Sequence, residues 1–115
     1  MANNAIKART VLEYVLSEEY VSDISRKIYA DPLGSQNERL LVGGILRYTG
    51  FSDEEILDFL QIPLAQRRMY LETLNDGMAR YSLGEPNPPR WVVVAHERCG
   101  ELTTRHIEPE DVRLV

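Results

Sequence analysis

Apolar residues in the first thirty positions recur at Ile6, Val11, Leu12, Val15, Leu16, Tyr20, Val21, Ile24 and Ile28. Gaps of three, four and seven gather them on one face of a helix, where a strand would need alternation. Asn3 or Asn4 offers a side-chain oxygen to cap the start, and Ser22 or Asp23 offers one to begin a second helix within the stretch. Asp31-Pro-Leu-Gly34 is a turn, because proline stops the preceding helix and glycine is free to take positive φ. Ser35-Gln-Asn-Glu38 has the form of a capping box. It opens a helix carrying Leu40, Leu41, Ile45 and Tyr48 that Gly50 closes. Gly43 and Gly44 inside that helix cost about 1 kcal/mol each relative to alanine. Either a second helix lies close against the bare backbone, or the helix breaks there.

Ser52-Asp-Glu-Glu55 is a second capping box, with Asp53 and Glu54 in the first turn where the helix dipole favours anions. Its helix is short, with Ile56, Phe59 and Leu60 on one face. Gln61-Ile62 forms a corner, and Pro63 suits the first turn of a helix running to Tyr81 with Leu64, Leu71, Leu74 and Met78 as its stripe. Three prolines stiffen the stretch to Arg90. Beyond it, Trp91-Val-Val-Val-Ala-His96 is β-branched and aromatic and predicts a strand. Arg98–Glu101 then reads as a turn, Leu102–Ile107 as a second strand and Asp111–Val115 as a short third. The expected fold class is mainly α: a helical domain over 1–84, a proline-rich linker over 85–90, and a β-hairpin over 91–115. Two strands alone are marginal in water. The hairpin is therefore expected to pack on the helices or to pair in a homodimer through Trp91, Val92, Val93 and Val94.

A short helix, a tight corner and a longer helix form the unit that lays a helix in the major groove of DNA. In a helix-turn-helix reading, Ser52–Leu60 supports and Leu64–Leu74 recognises. Gln66, Arg67, Arg68 and Tyr70 then reach bases or phosphates, arginine forking onto guanine and glutamine onto adenine. A hairpin after such a unit is the arrangement of a winged helix, in which Arg98 and Arg105 touch phosphates and position the protein without reading sequence.

The helix beginning near Arg39, Arg47 towards its end, then Thr49-Gly50-Phe51-Ser52 and Glu55-Ile56 make residues 39–60 resemble the C-terminal, origin-binding domain of DnaA, the bacterial replication initiator. The resemblance implies a helix-turn-helix that binds duplex DNA with Arg67 or Arg68 near the groove. The family's recognition signature has no counterpart, since Gln61-Ile-Pro-Leu-Ala-Gln-Arg67 stands in its place. Against the general bacterial pattern, Leu57 stands where a small residue is usual, Gln61 where glycine is, and Arg67 where a buried Val or Ile is.

Charge weighs against that partner. The chain of 115 residues carries a net charge of −5. Its 1–84 part has 9 basic and 12 acidic residues and its remainder 4 and 6, so neither is basic as DNA-binding domains usually are. The alternative is a protein-interaction module, or a self-assembling structural protein. A single thiol, Cys99, precludes an intrachain disulfide, and the N-terminus has no apolar signal core, so a cytoplasmic location is expected. The longest apolar run, Trp91 to Ala95, is far short of the roughly 20 residues that span a bilayer. His96, Cys99 and His106 fall one ligand short of a structural zinc set. There is no phosphate-binding glycine loop and no nucleophile motif. No cofactor, no metal and no enzymatic activity are expected.

Overall fold

The computed structural model describes residues 2–31 and 34–104, and side chains from Lys7 to Gly100 within them. The first helix, α1 (Ala2–Val15), starts before Asn3 and Asn4, which are positions within it. The break expected at Ser22 comes earlier. Ser17 accepts a hydrogen bond from the Tyr20 amide at 3.1 Å and starts α2 (Glu18–Ala30), with Glu18 and Glu19 in the first turn complementing its dipole. Ser22 and Asp23 are ordinary positions within α2.

The third helix, α3 (Gln36–Tyr48), begins at Ser35, but the Ser35 side chain makes no capping bond. Glu38, the other half of the expected box, instead pairs with Lys27 of α2 at 2.6 Å. That partner pulls the Glu38 carboxyl below, and the Lys27 ammonium above, their usual ranges. At the far end Gly50 takes φ 97° and the chain reverses through bonds from Gly50 N to Arg47 O and Phe51 N to Leu46 O. This is the paired closure that a left-handed residue permits.

Gly43 and Gly44 do not break α3. A Cβ at Gly43 would collide with the Tyr70 hydroxyl, and one at Gly44 would lie 3.1 Å from Trp91 Cζ3 and 3.4 Å from Ala95 Cβ. The glycines thus let aromatic side chains from two other helices seat directly on the backbone.

Those helices follow α4 (Asp53–Phe59) and a 3-10 turn at Leu64–Gln66: α5 (Arg67–Ser82) and α6 (Arg90–Thr104). The hairpin expected over 91–115 is not present in the described residues. Trp91–His96, read as a strand, is the first half of α6, and Leu102–Thr104 is its end. Residues 105–107 of the second expected strand and 111–115 of the third lie outside the described residues. Trp91, Val92 and Ala95 are buried and Cys99 half-buried, a spacing of one, four and eight that fits a helix. Local β-propensity is a weak preference that packing overrides. Here the indole ring lies between Gly44 of α3 and Gly77 of α5. Trp91 and Val92 are therefore committed to the protein's own core, and Val93 and Val94 pack at its margin. The edge expected to pair in a dimer does not exist as a strand.

The centre of the fold is α3, against which α6 packs most extensively and α1, α2, α4 and α5 also pack. Ile45, Leu46, Ile56, Leu74 and Val92 are fully buried around it.

Candidate functional site

Among the described residues, the corner between α4 and α5 and an open groove beside α3 carry exposed or incompletely satisfied chemistry.

The corner is well determined. Both halves of the Ser52–Glu55 capping box form, at 2.9 and 3.2 Å. After α4 the chain turns through bonds from Gln61 N to Asp58 O and Ile62 N to Leu57 O, with Gln61 at φ 53°. A glutamine thus adopts the left-handed conformation that glycine takes more easily. Arg47 ties the unit to α3. Its guanidinium hydrogen-bonds Asn75 of α5 and pairs with Asp53 of α4.

The residues expected to contact DNA do not converge. Gln66 is exposed at the end of the 3-10 turn. Arg67 folds back on the corner, its Nε donating to Ile62 O at 3.0 Å and its Nη1 pairing with Asp58 at 3.1 Å. Arg68 is exposed but pairs with Glu72 at 3.0 Å. Tyr70 faces inward, 5% exposed, and its hydroxyl donates to Arg39 O at 2.7 Å. Burial pushes that phenol well above its usual range, so it stays protonated. Tyr70 is thus a core residue and is not at the surface. Arg98 is exposed on α6, and Arg105 lies outside the described residues. What the start of the long helix does present is Leu64 and Met69, 84% and 68% exposed. Asp53, Glu54 and Asp58 are exposed on the preceding helix.

The groove lies between α1, α2, α3 and the corner and has a volume of about 420 Å³. Leu16, Val21, Ile24, Ile28, Val42 and Phe59 supply most of its apolar walls, and Tyr29 and Pro63 stand on its margin. Tyr29 is 90% exposed. Among the described residues lining the groove, Arg39 alone is charged. Its Nε is shut off from solvent and has no hydrogen-bond partner.

His96 contacts Tyr48 edge-on and lies 3.4 Å from the Tyr81 hydroxyl. Burial pushes the nearby Cys99 thiol up to about 11, so the residue is an inert thiol at neutral pH. His106, the third ligand considered, lies outside the described residues, among which no group of three metal-binding side chains occurs.

No family model, no curated protein and no solved structure matches the chain. No helix among the described residues is long and apolar enough to cross a membrane.

In sequence, Leu16, Val21, Ile24, Ile28 and Phe59 belong to core stripes. Nothing in a helical repeat says that one seam of a stripe is left uncovered. The one available signal was Arg39 itself, a cation directly before the buried run Leu40–Leu46.

Proposed function

We propose that this protein is a protein-interaction module that receives an amphipathic helix of a partner in the groove beside α3. The observation that carries the reading is the open apolar groove, flanked by the exposed ring of Tyr29 and by Pro63. Apolar surface of this kind, rimmed by polar residues, marks sites of recognition. All regular structure among the described residues is helical, so no sheet edge is offered to an extended peptide. A helix laid in a groove through anchors at i, i+3 or i+4, and i+7 is a mode that an apolar groove of this kind suits.

Duplex DNA is the second reading. It is favoured by the order of α4, corner and α5, and by the left-handed Gln61 at the position where helix-turn-helix units usually carry glycine. It is disfavoured by the chemistry around that corner. Arg67 and Arg68 are both paired with carboxylates, Tyr70 is buried, and Asp53, Glu54 and Asp58 would face phosphates. The Arg68–Glu72 pair is exposed and weak, so Arg68 alone is readily released.

Selection of displayed random peptides on the protein tests the first reading, with Ser25→Trp as the blocked control, because Ser25 is an exposed residue on the groove wall. The selected peptides are expected to share helical spacing of leucine, isoleucine or phenylalanine and to lose binding to Ser25→Trp. Peptides that bind both proteins equally contradict the groove. Steeply salt-dependent binding of a random-sequence duplex in the same buffers supports DNA instead.

A further inference from the structure

Resting on the reading of the groove as a helix-binding site, we infer that Arg39 is its specificity residue and accepts a carboxylate, from an aspartate or glutamate, on the incoming helix. Buried polar groups in folded proteins are nearly always hydrogen-bonded, and exceptions call for an explanation. Arg39 Nε is such an exception: it is inaccessible to solvent, and no described residue accepts from it. Its neighbour Glu38 is no candidate, being held by Lys27 on α2. The backbone of Arg39 is fixed in turn, since its carbonyl accepts from Tyr70. Arg39 thus lines an apolar groove with a charged head group whose Nε has no acceptor among the described residues, and because that atom is closed to solvent a carboxylate reaches it only if the side chain shifts as the helix docks.

A guanidinium presents a planar fork that matches a carboxylate bidentately, and apolar walls strengthen the pair by excluding water. Among the described residues lining the groove Arg39 is the one that is charged, in a chain whose net charge is −5. A carboxylate thus finds attraction at one place on this wall and general repulsion elsewhere. A fatty acid or similar amphiphile shares the headgroup chemistry. A slender chain would cover little of the exposed Tyr29 ring on the margin, whereas a helix has the breadth to lie against it. The observations favour the helix.

The probe is a fluorescein-labelled peptide of about 14 residues, built from alanine, lysine and leucine, with leucines at helical spacing and one glutamate moved through the register. Each peptide has a glutamine counterpart, and dodecanoate serves as the amphiphile. In the best register the glutamate peptide is expected to bind the wild-type protein about tenfold tighter than its glutamine counterpart. Arg39→Gln should remove that preference while keeping leucine-dependent binding, and Arg39→Lys should keep part of it. Thermal melts by circular dichroism confirm that both variants are folded. Equal affinity of glutamate and glutamine peptides for the wild type in every register overturns the role of Arg39 and leaves the groove reading standing. No leucine-dependent binding by any peptide overturns both. Arg39-dependent binding of dodecanoate without peptide binding overturns the helix as occupant.

Discussion

The two sides of α3 solve the same packing problem in opposite ways. On one side Gly43 and Gly44 bare the backbone, and the Tyr70 hydroxyl and Trp91 ring press onto it. The aromatic groups fill that seam, and the polar end of Tyr70 finds an acceptor in Arg39 O at 2.7 Å. On the other side Arg39 and Val42 look across about 420 Å³ of unfilled space towards Ile24, Ile28 and Phe59. There Arg39 Nε has no acceptor among the described residues. A helix lined with glycine invites closure by its own chain. The face of α3 carrying Arg39 and Val42 is left uncovered by the described residues. Close packing is the rule in protein interiors, so an open apolar seam is itself information about function.

Substitutions can break this contrast, and the closed side should show the largest effect. Trp91→Ala empties the space between Gly44 and Gly77 and should cost about 3–5 kcal/mol in urea unfolding. A loss under about 1 kcal/mol would mean that α6 is not part of the core. Next, Gly43→Ala drives a methyl into the Tyr70 hydroxyl and should cost about 1–3 kcal/mol. Tyr70→Phe removes the colliding oxygen, so the same alanine should cost less in that background. A double-mutant cycle measures this coupling, and additive losses would separate the two residues.

The open side should respond with the opposite sign. Arg39→Met removes a buried unpaired donor and keeps the apolar stem, so stability should rise by about 1 kcal/mol. A clear loss would show that the guanidinium already has a partner. A further effect concerns pH. Cys99 is pushed up to about 11 by burial against an ordinary value of 9.0, so the folded protein keeps its proton after the unfolded chain has lost it. This contribution is fully present below pH 9 and is lost as the pH rises towards 11. The upward shift of Tyr70 adds a fall of the same sign at higher pH. The urea midpoint should therefore decline above pH 9, and less steeply in Cys99→Ala.

How much of this was legible depended on whether the signal was local. The Ser52–Glu55 box, the reversal at Gly50 and the corner at Gln61 are set by neighbours a few residues apart, and each formed where the sequence placed it. The demand of Gly43-Gly44 for a close neighbour was also readable, though not which residue would meet it. Ser35-x-x-Glu38 had the right letters and failed as a box because Lys27, distant in sequence, captured Glu38. The run from Trp91 to Ala95 misled for a related reason. Its β-branched residues hide a helical burial pattern that exists only because Gly44 and Gly77 make room for an indole. Of the DNA-facing set, Tyr70 was taken inward by Gly43, and Arg67 by the carbonyl and carboxylate of the corner. The groove was illegible, since an uncovered seam and a covered one are written in the same apolar letters.

Amide shift mapping on the isotope-labelled protein, titrated first with a groove-selected peptide and then with a random-sequence duplex, tests the central claim most directly. The account predicts that the peptide shifts residues of α2, Val42 and the Phe59–Ile62 segment, and that the duplex at moderate salt shifts none. Shifts confined to Gln66–Met69 on adding duplex, with no response in the groove to peptide, would contradict it.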